Sequence, residues 1–314
     1  MKTLQLGKAG PAVSAIGLGC MGMSDGYGPA DRAESIATLH TALDAGVTLF
    51  DTGDFYGSGH NEMLLAEAFA GISRDKYQLS VKFGGLRDPD GNWGAMDGRP
   101  DSIKNYLAYS LRRLRVDFID IYRAGGLDNT VPVEDMMGAL ADCVQKGWIR
   151  HIALSEVGAE TIRRANAVHP ITDVQVEYSL LSRGIESAIL PTCRELGIGI
   201  TAYGVLSRGL LSGSRLNGNK DFRAFMPRFQ GDNLKANLAL VDRLRSLATA
   251  RGTTTTQLAI AWVLEQGLDI VPLVGARHRQ QLSEALGSVK LALTRADLDA
   301  IEGAVPKNSA HGAR

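Results

Sequence analysis

Along most of this chain, short runs of consecutive apolar residues alternate with longer stretches whose apolar positions recur every three or four residues. The short runs are "AIGLG" (15–19), "VTLF" (47–50), "YQLSV" (77–81), "FIDIY" (118–122), "IRHIAL" (149–154), "DVQVEY" (173–178), "IGITAY" (198–203) and "DIVPLV" (269–274). Most are apolar nearly throughout rather than alternating, the pattern of parallel strands covered on both faces. Helical periodicity between them predicts helices near 31–45, 61–70, 101–113, 133–146, 159–168, 186–196, 233–250 and 255–266, with 278–286 and 294–303 closing the series. Eight strand–helix units predict an α/β fold, a closed (β/α)8 TIM barrel. The leading "MKTLQLGKAGPAVS" (1–14) reads as an N-terminal β-hairpin able to plug the barrel's bottom. The expected organisation is one domain over 1–314, with 305–314 as a flexible tail. The connection from Gly204 to about Asn233 is the longest without a periodic pattern, and such connections inside a compact domain are usually functional.

Composition narrows the function classes. Hydrophobic residues make up 45% and charged residues 22%, ordinary for a globular protein with one large core. The formal net charge is zero and no basic run stands out, so neither a nucleic-acid nor an anionic-surface partner is expected. Cys20, Cys143 and Cys193 stand at unrelated spacings with no CxxC, which reads as reduced thiols. The opening residues have no apolar signal core, and no window approaches the roughly 18 apolar residues of a membrane span. A soluble, cytoplasmic protein is expected.

The candidate chemistry lies in "TLFDTGDFYGSG" and "YQLSVKFGG". Asp51 stands five residues before Tyr56, and Lys82 ends the next apolar run. An acid, a phenol and an amine at neighbouring strand ends can meet in one pocket of a parallel barrel. A tyrosine with an ordinary pKa near ~10 is a weak proton donor at neutral pH. A neighbouring ammonium is expected to lower that pKa, with Asp51 holding the lysine charged and oriented. Singly, each residue has a plainer reading: packing for Tyr56, a surface charge for Lys82, a helix cap for Asp51. Their joint placement is what points to a proton donor for a carbonyl oxygen. "GLGCMG" also satisfies GxGxxG at Gly17, Gly19 and Gly22, the mark of a Rossmann dinucleotide site. That mechanism needs a helix opening at the third glycine, and "MSDGYGPAD" is too rich in Gly and Pro to open one. No tyrosine stands four residues before a lysine, as a short-chain Rossmann dehydrogenase would require.

The strings "FDTGDFYGSGHNE", "LSVKFG", "LSEVGAETI", "VQVEYSL", "AYGVLSRGLLSG" and "VGARHRQQLSEAL" resemble, in order, those of the aldo-keto reductases, over roughly residues 1–303. "IDIYR" and "ALSEV" look most like a bacterial branch that also holds pyridoxal-reductase-like enzymes. The resemblance implies a barrel that binds NADPH (or NADP+) extended across its C-terminal mouth and passes the pro-R hydride to a carbonyl carbon. Carried over by position, Tyr56 is the general acid, tuned by Lys82 and Asp51. Ser155 and Gln175 hold the nicotinamide carboxamide, and Tyr203 stacks on its face. Gly204, Leu206, Ser207, Arg208, Gly209 and Leu210 form the loop that follows the pyrophosphate. Gly275, Arg277, Gln281 and Glu284 lie at the adenosine end, with Arg277 on the 2′-phosphate, where a guanidinium fork suits a phosphate. Gly19 and Met21 complete the cofactor set. Met21, Met23 and Tyr27 follow the first strand, where barrels place substrate contacts, and Trp93 in "GNWGAMDG" is a candidate substrate-facing aromatic. Asp54 reads as a loop residue and His60 as solvated or capping.

Two positions depart from the family pattern. Glu156 replaces the asparagine that usually follows Ser155, and Gly125 stands where the family places a histidine. Loss of that imidazole predicts either a gap beside Tyr56 that admits bulky ketones, with a water or an inward-turned Arg123 as substitute donor, or a loop collapsed into the gap. The partner is a small-molecule carbonyl compound. Pyridoxal-like aldehydes and bulky secondary ketones, keto-mycotoxins of the trichothecene type among them, are both candidates. A non-catalytic NADPH-binding sensor barrel is the alternative from another class.

Overall fold

The computed structural model describes residues 1–24, 27–214 and 221–313, apart from the Phe222 side chain; 215–220 of the long connection and the last tail residue lie outside these. Two short strands, β1 (Thr3–Gln5) and β2 (Ala12–Ser14), pair antiparallel as the expected hairpin. The barrel strands follow as β3 (Gly17–Gly19), β4 (Leu49–Gly53) and β5 (Gln78–Phe83), and, after an inserted hairpin of β6 (Gly85–Arg87) and β7 (Trp93–Met96), continue as β8 (Ile119–Ala124), β9 (Ile149–Ser155), β10 (Ile171–Glu177), β11 (Gly199–Tyr203) and β12 (Ile270–Gly275). The order β3–β4–β5–β8–β9–β10–β11–β12 closes on itself, with every barrel pairing parallel. Helices α1 (Arg32–Asp44), α2 (His60–Ala68), α3 (Pro100–Leu114), α4 (Val133–Gln145), α5 (Ala159–Val168), α6 (Ile189–Leu196), α7 (Gly231–Ala250), α8 (Thr255–Leu264), α9 (Arg279–Leu286) and α10 (Arg295–Ala304) lie within a few residues of the predicted ones. Their starts carry legible caps: the Asp31 carboxylate accepts from Glu34 N–H at 2.7 Å, and Thr254 with Gln257 forms a capping box on α8.

The strands are apolar throughout because they face two cores. Outward residues such as Phe50, Leu79, Val81 and Tyr122 join one large cluster with the helices. Inward residues Leu49, Ile121, Ala153, Val271 and Leu273 meet Leu4, Leu6, Val13 and Ala15, so the hairpin closes the floor of the barrel. Above that floor the inward positions turn polar, two residues on along each strand: Asp51 on β4, Lys82 on β5, Arg123 on β8, Ser155 on β9, Gln175 on β10 and Tyr203 on β11.

Two features, the β6–β7 hairpin and the tail, differ from expectation. The β6–β7 hairpin falls where only a loop is predicted, because its strands are short and mostly exposed and carry no apolar period. As expected, the GxGxxG string lacks a Rossmann context: Gly17 and Gly19 belong to a barrel strand, and among the described residues only a three-residue 3-10 turn (Met21–Met23) precedes the α-helix that starts at Arg32. The tail is not loose as far as it is described. Val305 is fully buried, Asn237 exchanges hydrogen bonds with the His311 backbone at 2.8 and 2.9 Å, and Lys307 reaches Glu186 at 2.9 Å.

Candidate active site

At the C-terminal mouth of the barrel the strand ends surround a cavity of about 390 Å³. Its floor is built from Asp51, Lys82, Tyr56, Ser155 and Gln175. The register sets Asp51 beside Ser80 and Gly53 beside Lys82, so the carboxylate and the amine come from neighbouring strands one step apart. Lys82 Nζ donates to Asp51 Oδ1. Asp51 Oδ2 accepts from Ser80 Oγ at 2.9 Å and from Gln175 Nε2 at 2.8 Å. With three donors on its two oxygens, the Asp51 carboxylate is oriented to hold the ammonium. The ammonium lies 5.2 Å from the centre of the Tyr56 ring, and Tyr56 is 7% exposed.

The electrostatics correct one expectation. The Tyr56 hydroxyl is not acidified: burial, and next the Asp51 charge, push its pKa well above the usual phenol value. Burial likewise pulls Lys82 below the usual lysine value, opposed by Asp51 and reinforced by Arg123. The phenol is therefore held protonated, and its proton leaves only for a base stronger than phenolate, such as a developing alkoxide. Asp54 is pushed up to about 7 by burial and by the Glu62 charge, and its Oδ1 has no partner among the described residues.

Most predicted cofactor residues converge on the cavity: Gly19, Met21, Ser155, Gln175, Tyr203, Gly204, Leu206, Arg208, Gly209, Gly275, Arg277 and Gln281 line it. Ser207 and Leu210 do not; both are buried, and Ser207 Oγ bonds Ser179 Oγ at 2.9 Å. Glu284 lines a second hollow of about 260 Å³, which shares Ser212 with the first. Met23 is buried in the core. Tyr27 and Trp93 line the cavity, as do Phe55, Met96, Arg223 and Ser214, which the sequence reading missed. His60 lies outside it, its Nδ1 2.9 Å from Ser24 Oγ. Glu156 lines it at a left-handed φ of 55°, a conformation that suits asparagine far better, and its Oε1 accepts from Glu177 N–H at 3.0 Å. Arg277 reaches across the mouth to the carbonyls of Tyr27 (3.1 Å) and Pro29 (3.4 Å).

The space at Gly125 is filled. A Cβ there would stand 3.0 Å from a ring carbon of Phe55, 3.1 Å from Met96 Cε and 3.1 Å from Phe83 O. Phe55 packs edge-on against both Tyr56 (5.2 Å) and Trp93 (5.3 Å), so an aromatic and thioether wall stands where a gap was one expectation. Arg123 does not turn toward Tyr56 either; it is fully buried in the barrel, ion-paired with Asp173. Gly125→Ala is accordingly expected to cost about 1–3 kcal/mol as overpacking, read from the urea midpoint. Gly125→His is expected to be slower than wild type, not faster, because its ring must displace Phe55 and Met96.

The sequence profile described as "Aldo/keto reductase family" matches residues 15–306. The chain belongs to the aldo/keto reductase family. It is 39% identical to "Probable aldo-keto reductase 1" of Glycine max over 322 residues, covering 100% of this chain and 92% of that protein. Its fold is similar to that of the glycerol dehydrogenase AKR11B4 from Gluconobacter oxydans, with a TM-score of 0.88 and 29% identity over 99% of this chain and 97% of that one. The thermostable aldo-keto reductase Tm1743, solved with the inhibitor epalrestat, shares the fold at a TM-score of 0.77 and 24% identity, over 97% of this chain and 100% of that one. An aldo/keto reductase is an oxidoreductase that uses a nicotinamide cofactor. Among the described residues no helix is long and apolar enough to cross a membrane.

Proposed function

We propose that this aldo/keto reductase is an NADPH-dependent, cytoplasmic carbonyl reductase with Tyr56 as its general acid. The observation that carries the reading is the meeting of Tyr56 with an Asp51-held Lys82 on the floor of a cavity about 390 Å³ in volume. The residues fit an extended dinucleotide. Gln175 spends an amide N–H on Asp51 and keeps Oε1 for a carboxamide, while Tyr203 offers a ring beside it. Arg208, Arg223, Ser212 and Ser214 line the part of the cavity that would take the phosphates, and Glu284 in the adjoining hollow suits an adenosine lying there. When bound, the reduced nicotinamide supplies the hydride. Tyr56 gives its proton to the carbonyl oxygen as negative charge builds there, and the Lys82 ammonium steadies the phenolate left behind. Phe55, Trp93 and Met96 form an apolar wall on one side of that oxygen, which suits a carbonyl compound with a hydrophobic substituent.

The test is a single-turnover experiment: enzyme loaded with NADPH is mixed with small aldehydes, pyridoxal-like aldehydes, bulky secondary ketones, and short polyol ketones suggested by the relative named glycerol dehydrogenase. Loss of the reduced-nicotinamide absorbance with at least one class is the expected result, and silence with all would favour a sensor barrel. Arg277→Ala is expected to weaken NADPH binding by about 1.5–3 kcal/mol and spare NADH, measured by titration of each. Equal losses would assign Arg277 to clamping the Tyr27–Pro29 loop alone.

A further inference from the structure

Packed against the candidate catalytic group is a second set of buried polar side chains: Arg123, level with Lys82 in the register, and Ser80, Asp173 and Thr201 two residues earlier on their strands. Arg123 on β8 is fully buried and ion-paired with Asp173 of β10 at 2.9 Å. Its Nη1 donates to Leu154 O at 3.1 Å, and its Nη2 donates to Asp173 Oδ1 at 3.1 Å and to Ser80 Oγ at 3.2 Å. Thr201 Oγ1 also donates to Asp173, completing that carboxylate. Ser80 Oγ joins the two layers, since it donates in turn to Asp51 Oδ2 at 2.9 Å.

The direction of this bridge is fixed by chemistry. A carboxylate only accepts, so Ser80 gives its single hydrogen to Asp51, while the Arg123 guanidinium, which only donates, occupies a lone pair of the Ser80 oxygen and fixes the hydroxyl's position. Asp51 Oδ2 is thereby occupied by Ser80 and Gln175, and Oδ1 is left for Lys82. Arg123 also stands opposite Lys82 in the strand register. Its positive charge bars the ammonium from sinking into the barrel, and its bond to Asp173 removes the other carboxylate within the lysine's electrostatic reach.

We infer that Arg123 and Ser80 are positioning residues, which orient the Asp51 carboxylate and keep the Lys82 ammonium at Tyr56 instead of at Asp173. The inference rests on the reading of Asp51, Tyr56 and Lys82 as the catalytic group. Burial of an arginine–aspartate pair in a barrel core is costly in itself, and an apolar pair of similar volume would close the space as well. The titratable groups facing the Asp51–Lys82 pair are Cys20 from the turn after β3, Tyr56, Arg123 and Asp173, with Tyr27 and Tyr203 close to the phenol.

The test compares Ser80→Ala, Arg123→Met, Arg123→Met/Asp173→Leu and Tyr56→Phe, with kcat referred to active sites counted by NADPH titration. Ser80→Ala keeps both ion pairs and is expected to lower kcat about 5- to 20-fold while leaving NADPH affinity within about twofold, because Asp51 loses a donor that fixes its orientation. Arg123→Met frees Asp173 to draw the ammonium away and is expected to lower kcat by on the order of 100-fold. Removing that competitor in Arg123→Met/Asp173→Leu is expected to return kcat to the Ser80→Ala level. Should Arg123→Met fail to fold, kcat and NADPH affinity in Ser80→Ala and the double variant decide alone. Ser80→Ala or the double variant with wild-type kcat, whatever the change in melting temperature, would overturn the inference and leave the pair a structural filling. Wild-type turnover in Tyr56→Phe would instead remove the underlying assignment of the acid.

Discussion

Replacing Tyr56 by phenylalanine should lower kcat by about 10²-fold or more, while NADPH still binds with nearly unchanged affinity. The substitution removes one oxygen and keeps the ring, so the packing of Phe55 on its edge and the lysine beneath it survive. What is lost is the proton for the nascent alkoxide, and general acid catalysis is worth on this scale. The pH profile adds a sign. Burial and the Asp51 charge keep the phenol protonated beyond its ordinary range, so no alkaline loss of wild-type turnover belongs to Tyr56 at or below the usual phenol pKa of 10.0. Lys82 is displaced the other way, below its usual 10.5, so its ammonium is the group lost as pH rises. An alkaline limb present in wild type and absent in Lys82→Met would carry that signature. Full kcat in Tyr56→Phe would transfer the donor's role to another group.

Removing Asp51 should be as damaging to the fold as to the chemistry. Asp51 and Lys82 are 4% and 6% exposed, and the carboxylate is the ion-pair partner of the ammonium. Asp51→Leu leaves that ammonium buried without a counter-charge, a situation that costs about 3–5 kcal/mol in unfolding free energy. Asp51→Leu/Lys82→Met is expected to recover most of the stability and none of the activity. Urea unfolding of both variants checks the point; a double variant as unstable as the single one would mean that Asp51 acts through Ser80 and Gln175 rather than through the charge on Lys82.

Much of this was legible in the sequence because a barrel repeats one physical unit. Continuous apolar runs such as "FIDIY" and "IRHIAL" mark strands covered on two faces, and the site residues stand at their ends. The polar layer below was legible too, in the period of two along each strand: Ser80 precedes Lys82 by two, Asp173 precedes Gln175 by two, and Thr201 precedes Tyr203 by two. The β6–β7 hairpin was not, since three or four exposed residues carry no periodic signal. Nor was the filling of the Gly125 position, because Phe55 arrives there from the turn after β4 and Met96 from β7, both distant in sequence. The direction of the Tyr56 shift was misjudged for a related reason. Proximity of a lysine can be read from strand ends, whereas the extent of desolvation depends on everything that covers the ring.

The floor of the barrel has a consequence for how the chain is made. Leu4, Leu6 and Val13 are synthesised before the barrel strands, yet they pack against Val271 and Leu273 of the last strand. Until that strand has emerged these residues have nowhere to sit, and the hairpin remains exposed while the barrel is being made. Docking of the hairpin can then occur only as the strands close, so residues made ahead of the barrel are among the last to become protected. Hydrogen exchange pulsed during refolding would register this as late protection of the Leu6 amide, which donates to Pro11 O at 3.0 Å across the hairpin, relative to the amides of β4 and β5.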